Sequence, residues 1–145
     1  FANAYDILNA DLLYASAVCH DIGKTKELSN FPDNDYTDIG QLVGHIVIGV
    51  EMIGEAIRTI PDFPEKLANE WKHCIVAHHG ELEYGSPKKP ALAEAVALNL
   101  ADNADAKMQT LKEIFKDKSG TDWLGYNRLF ESNLRKTSLS EESKS

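Results

Sequence analysis

The stretch His20-Asp21-Ile22-Gly23-Lys24 places an imidazole directly beside a carboxylate, and side chains of both kinds bind divalent metal ions. Later segments of the chain offer matching donors, namely His45, the adjacent pair His78 and His79, and Asp102. Four of the five histidines in the chain therefore belong to one set. We interpret this set as a hydrolytic site that holds one or two metal ions.

The apolar residues follow a helical period, and no segment shows the strict alternation that is typical of a strand. A first helix is predicted to begin after Asn9 and to carry His20, with Gly23 at its end and a polar loop over residues 24–37. Further helices are predicted from about residue 38 to 60, from Pro64 to His79, from about 91 toward 118, and over 122–134. These elements predict an all-α bundle of five to six helices. It would form one domain over residues 1–135, followed by a disordered tail over 136–145.

Helical spacing also predicts that the donors point inward. His78 lies on the same face of its predicted helix as Leu67 and Trp71, so it is expected to face the bundle interior. A buried, unpaired carboxylate costs several kcal/mol, and no Lys or Arg lies within one helical turn before Asp102. A metal ion is therefore the expected partner of Asp102. One isolated histidine is most often a hydrogen-bonded core residue, but four of them on inward faces together with two aspartates favour a metal site. Glycines around His45 suggest close helix approach there; they are Gly40, Gly44, Gly49 and Gly54.

The composition excludes several classes of function. A net charge of −8 argues against a broadly basic surface for nucleic acid. No apolar run approaches the length of a membrane span, so we expect no membrane association. Cys19 and Cys74 lack the spacing of a zinc motif and are expected to be reduced thiols, which suggests a cytoplasmic protein.

Taken together, the motifs resemble the HD-domain metal-dependent phosphohydrolase superfamily. The order of the donors resembles its two-metal version, and finer details are similar to the YhaM-type 3′-5′ exoribonuclease group. The similar stretches are residues 19–28, 44–46, 77–87 and 102–108, within a resemblance that spans about residues 8–108. The resemblance implies a helical HD fold, a metal-activated water as nucleophile, and RNA with a single-stranded 3′ end as the substrate.

The sequence departs from the superfamily pattern at its beginning. That pattern starts with another histidine before the His-Asp pair, and residues 1–19 contain none. YhaM-type proteins also carry an N-terminal OB-type nucleic-acid-binding domain, so we expect a chain that begins inside the first helix of the catalytic domain. The absent histidine would belong to the metal site of His20, Asp21 and Asp102. The enzymatic activity of the isolated chain is therefore expected to be impaired. The second site keeps its full set of ligands; they are His45, His78 and His79, with Asp21 bridging.

Further residues are assigned roles in binding the substrate. Asp21 and Lys24 are the predicted catalytic residues, and the Lys24 ammonium is expected to steady the scissile phosphate. Lys88 and Lys89 are candidates for contacts with the RNA backbone, Tyr84 for stacking on a base, and Ser86 for the same substrate-binding loop. The alternative for each loop residue is an ordinary solvated side chain.

Mixed imidazole and carboxylate donors suit Mn²⁺, Fe²⁺, Ni²⁺ or Zn²⁺ better than Ca²⁺, and Mg²⁺ stays open. The resemblance favours Mn²⁺. The leading hypothesis is a 3′-5′ exoribonuclease. The alternatives are an HD-type hydrolase of small nucleotides or cyclic dinucleotides, and a catalytically inactive helical metal-binding module. The expected partners are RNA or nucleotide phosphates, and the sequence leaves a homo-oligomer open.

Overall fold

The computed structural model describes residues 2–116 and 122–137, and helices make up most of them. The helices are α1 (Ala10–Cys19), α2 (Lys24–Glu27), α3 (Asp38–Val43), α4 (His45–Arg58), α5 (Glu65–Val76) and α6 (Ala93–Lys116), with a short 3₁₀ turn over Leu82–Tyr84. Two strands follow, β1 (Trp123–Asn127) and β2 (Ser132–Arg135). The prediction of a helical fold is confirmed. Within the described ranges, no helix combines the length and the hydropathy that a transmembrane segment needs.

The chain divides into two compact units, Phe1–Asn103 and Ala104–Ser145, and α6 runs through the boundary. In the first unit, α5 packs against both α1 and α4. The side chain of Asn9 caps α1 as predicted, because it accepts a hydrogen bond from the amide of Leu12. The core of this unit is apolar and lies between α1, α5 and the first turns of α6; it includes Leu12, Leu13, Cys74, Ala77, Ala95 and Leu98.

The prediction of one helix over residues 38–60 was wrong, because the helix is interrupted at Gly44 and the chain forms α3 and α4 instead. Gly44 has a φ of 78° and a ψ of 154°, a conformation that favours glycine and cannot continue a helix. The break makes His45 the first residue of α4, so the backbone amide of His45 has no acceptor within the helix. The side chain of Glu27 accepts this hydrogen bond at 2.9 Å.

The predicted third helix was also too long, because α5 ends at Val76 and does not reach His79. His78 and His79 lie in the turn that follows, which closes at Gly80 with a φ of 82°. The side-chain amide of Asn99 in α6 donates to the carbonyl of His78 at 2.8 Å. The turn is therefore held by a contact from a distant helix, which helical spacing within α5 could not reveal.

The predicted last helix over residues 122–134 is instead an antiparallel hairpin of β1 and β2. Its turn is fixed locally, because the side chain of Asn127 accepts from the amide of Leu129 at 2.9 Å. The predicted loop over residues 24–37 contains α2 and an antiparallel bridge between Leu28 and Tyr36. Of the predicted disordered tail, residues 138–145 lie outside the described residues.

Candidate metal centre

The six predicted donors come from four separate segments of the first unit and meet around the carboxylate of one of them, Asp21. His20 caps the C-terminal end of α1, and Asp21 follows it. His45 begins α4, the pair His78 and His79 follows α5, and Asp102 lies in α6. Side-chain nitrogens of three of the histidines lie within 4 Å of the carboxylate oxygens of Asp21.

The two carboxylate oxygens of Asp21 face different donors. Oδ2 lies 3.4 Å from Nε2 of His20, which in turn lies 3.6 Å from Oδ1 of Asp102. Oδ1 lies 3.6 Å from Nε2 of His45 and 3.8 Å from Nε2 of His78. We call His20, Asp21 Oδ2 and Asp102 the first donor group. We call His45, His78, His79 and Asp21 Oδ1 the second donor group.

The imidazoles of the second donor group are spaced as ligands of one ion would be. One ligand atom each from His45, His78 and His79 lies within 4.8 Å of the others. Metal–nitrogen bonds of about 2.1 Å place ligands around one ion roughly 3 to 4 Å apart. The 4.8 Å limit exceeds this range by less than 1 Å, so at most small side-chain adjustments are needed for these three residues to bind a common ion.

All four histidines present the same ring nitrogen to this centre. Nδ1 of His20 faces the carbonyl of Ala17 at 2.8 Å, and Nδ1 of His78 faces the carbonyl of Ile75 at 2.7 Å. A carbonyl oxygen can only accept, so Nδ1 carries the hydrogen and Nε2 of the neutral ring keeps a lone pair. Nδ1 of the remaining two rings is fixed in the same way, by the carbonyl of Tyr84 at 2.8 Å for His79 and by the carboxylate of Glu27 at 3.1 Å for His45.

Three atoms at the centre are buried and lack any hydrogen-bond partner in the described part of the chain. They are Oδ1 of Asp21, Nε2 of His45 and Nε2 of His78. An unsatisfied buried polar group costs about 1–3 kcal/mol, so such atoms are rare in native proteins. All three are electron-pair donors pointed at one another. A divalent cation between them would satisfy all three, and the residues present therefore fit a metal ion.

The protonation states favour ligand binding as well. Burial lowers the pKa of His78 to about 4, so this ring is neutral at pH 7. Burial by itself would raise the pKa of Asp21, but the hydrogen bond from Lys24, the charge of Lys24 and the charges that His20 and His78 carry when protonated lower that pKa. Asp21 is therefore ionised at neutral pH and available as a bridging carboxylate.

Lys24, which was predicted to contact the scissile phosphate, is in direct contact with the centre. Its Nζ donates to Oδ2 of Asp21 at 2.7 Å, while nearly half of its side chain stays exposed. The ammonium therefore compensates the Asp21 charge and remains accessible at the edge of the site.

The prediction from sequence missed two residues that position ligands. Glu27 is buried and accepts from both the backbone amide and Nδ1 of His45. Asn99 holds the turn that carries His78 and His79. Glu27 is 18 positions from His45, and Asn99 is 21 positions from His78, so no local spacing indicates either pair.

The predicted substrate-binding residues are placed less uniformly. Tyr84 is 66% exposed and stands beside His79, and Lys88 is exposed on the same loop. Lys89 forms an ion pair with Glu81 at 2.5 Å. Ser86 is buried, and its hydroxyl has no partner among the described residues. The structure thus brings Tyr84 and Lys89 to the surface near His79 but leaves Ser86 away from solvent.

Sequence comparison places this centre in a known family, because residues 1–107 match the HD domain. The chain belongs to the HD-domain family. It is also similar to proteins named 3′-5′ exoribonuclease YhaM from several bacteria. The identity is 44% over 110 residues for Halalkalibacterium halodurans, 45% over 107 residues for Bacillus velezensis, and 44% over 111 residues for Bacillus subtilis.

These matches cover 74–76% of this chain but only 34–35% of the relatives, so the chain spans about a third of their length. No solved structure matches the chain significantly. The predicted resemblance is confirmed.

Proposed function

We propose that this HD domain removes nucleotides from the 3′ end of single-stranded RNA by metal-dependent hydrolysis of phosphodiester bonds. The proposal rests on one observation above the others. Oδ1 of Asp21, Nε2 of His45 and Nε2 of His78 are buried, converge on one another and have no hydrogen-bond partner among the described residues. Such a centre is costly without a cation and favourable with one.

The ligand assignment follows the two donor groups. The second donor group would hold one ion through His45, His78 and His79. The first donor group would hold another through His20 and Asp102, and Asp21 would bridge the two. Divalent ions at such a site supply a nucleophilic water at neutral pH and positive charge for the phosphate oxygens. The mixed nitrogen and oxygen donors are compatible with Mn²⁺, which is the ion we propose.

The residues of the chain itself supply orientation and charge. The acceptors at Nδ1 hold each imidazole with its Nε2 lone pair toward the centre. Asp21 stays ionised because the hydrogen bond and the positive charge of Lys24 favour its charged form. The Lys24 ammonium, hydrogen-bonded to Asp21 and partly exposed, is placed to contact the anionic phosphate of a substrate.

RNA as the substrate class is supported by the relatives, which are named exoribonucleases, and by the surface beside His79. The ring of Tyr84 is exposed there and is suitable for stacking on a base, which is sequence-tolerant because every base has an aromatic face. The exposed Lys88 on the same loop adds a positive charge for the backbone.

The test uses the full chain, freed of metal and reloaded with Mn²⁺. A 5′-labelled single-stranded oligoribonucleotide should shorten in single-nucleotide steps, with early loss of a 3′ label. Asp21→Asn should reduce the rate by about a thousandfold, since the site supplies several kcal/mol of transition-state stabilisation. Asp11→Asn makes the same chemical change at an exposed position of α1 and should behave as the parent chain.

Other outcomes would favour the alternatives. Turnover of mononucleotides or cyclic dinucleotides with an intact oligomer would indicate a small-nucleotide hydrolase. Less than one bound ion per chain, with no hydrolysis of any substrate, would indicate a module without catalytic function.

A further inference from the structure

A polar pocket opens beside His79, and most of the residues that line it are not proposed metal ligands. It has a volume of about 410 Å³ and is lined by His79, Tyr84, Lys89, Asn99 and Asn103, among others. This volume lies within the range of about 300–1,000 Å³ that is usual for small-molecule sites. Because His79 belongs to both the pocket and the second donor group, a molecule in the pocket would lie next to the proposed metal centre.

Among the described residues that line it, the pocket offers hydrogen bonds but no uncompensated charge. Lys89 is paired with Glu81 at 2.5 Å, and both residues line the pocket. Asn99 and Asn103 lie four residues apart on one face of α6 and contribute neutral amides. The Asn99 side-chain nitrogen is used by the carbonyl of His78, which leaves its oxygen as an acceptor, whereas Asn103 is exposed. Such a lining suits a neutral polar group with hydroxyls better than a phosphate.

A second, smaller pocket also adjoins His79. It has a volume of about 250 Å³, and its lining includes Val43, Val47, Pro87 and again Tyr84. Tyr84 and His79 thus line both pockets. A substrate chain bound at the metal centre could therefore contact both pockets, which favours an oligonucleotide over a single small nucleotide.

We propose that the polar pocket binds the 3′-terminal nucleoside of the substrate, and that Asn99 and Asn103 hydrogen-bond its sugar hydroxyls or base. This inference rests on the proposed function. Only the terminal nucleoside carries a hydroxyl at its 3′ oxygen, whereas every internal nucleoside carries a second phosphate there. A pocket in which the charges of the described lining residues are already paired favours the former, because a second phosphate would be desolvated without a counter-charge.

Binding of the product tests this directly, without requiring turnover. AMP represents the terminal nucleoside with its 5′ phosphate, and adenosine 3′,5′-bisphosphate represents an internal nucleoside. Calorimetric titration of the Mn²⁺-loaded full chain should give an affinity for AMP about tenfold higher than for the bisphosphate. Asn103→Ala should weaken AMP binding about fivefold, which corresponds to the loss of one hydrogen bond. Alanine at this exposed helical position also favours the fold.

Asn69→Ala is the matched control, because Asn69 is an exposed helical asparagine in α5 and does not line the pocket. Asn99 is unsuitable for this test, since its replacement would also release the turn at His78. Equal affinity for both ligands, absence of AMP binding, or AMP binding unaffected by Asn103→Ala would each overturn the pocket assignment, even if RNA is shortened. Conversely, AMP binding with the expected dependence on Asn103 but no RNA hydrolysis would overturn the proposed function and leave a nucleoside site.

Discussion

Replacement of Glu27 by glutamine should weaken metal binding although Glu27 is not itself a proposed ligand. Its carboxylate is buried and accepts two hydrogen bonds from His45, one from the backbone amide at 2.9 Å and one from Nδ1 at 3.1 Å. The first fixes the start of α4, and the second fixes the ring. Glu27→Gln keeps the size of the side chain but removes its charge and places an NH₂ group where one acceptor oxygen stood.

The magnitude follows from the two bonds. Hydrogen bonds to a charged group contribute about 1.5–3 kcal/mol and neutral ones about 0.5–1.5, so each bond should lose roughly 1 kcal/mol. The total is about 2 kcal/mol of unfolding free energy. The share that falls on the ring, roughly 1 kcal/mol, should lower Mn²⁺ affinity by about fivefold, just under the 10- to 100-fold range for residues that orient metal ligands.

Mn²⁺ affinity would be measured by calorimetry, and the unfolding free energy of the metal-free chain by urea titration. Glu55→Gln is the control, because it makes the same change at an exposed position of α4. Equal Mn²⁺ affinity in the two variants would refute the reasoning that Glu27 orients His45.

Three further predictions concern other parts of the centre. The pKa of His78 is lowered to about 4, so the unfolded chain binds its proton first as the pH falls. The unfolding free energy of the metal-free chain should therefore fall by up to ~3 kcal/mol as the pH is lowered from about 6.5 to 4. Urea titrations of His78→Gln over the same pH range should lack this decrease. Gly80→Ala should destabilise the chain and lower Mn²⁺ affinity, because its Cβ would lie 2.5 Å from the Asn99 amide at a φ of 82°. Gly85→Ala has similar strain at a φ of 90° without any contact, so equal thermal shifts in the two variants would contradict the clash. Asp102→Asn should abolish Mn²⁺ binding at the first donor group only, lowering the calorimetric stoichiometry from about two ions to one; loss of both ions would show that the groups are not independent.

The sequence predicted the helical class because helical periodicity is a local pattern, and it proposed the donor set from short motifs. The prediction for residues 122–134 failed because Trp123, Tyr126, Phe130 and Leu134 are spaced by three or four positions, which satisfies a helical period. The hairpin is set instead by the turn at Asn127, which the period does not detect. The start of α4 after Gly44 is held by the hydrogen bond from the amide of His45 to the side chain of Glu27, 18 positions earlier in the chain. Contacts of this kind are decided by packing and leave no spacing signal.

The four acceptors that hold the imidazole rings through Nδ1 should differ in how well they tolerate mutation. Three of the four imidazoles are tethered by main-chain oxygens, those of Ala17, Ile75 and Tyr84, which any substituted residue would still provide. The fourth tether is a side chain, that of Glu27. Saturation mutagenesis scored by metal retention should therefore tolerate many replacements at the three carbonyl donors, provided the backbone path survives. Glu27 should show the narrowest spectrum of accepted residues outside the ligands, which makes it the point where genetic drift would first disable the centre.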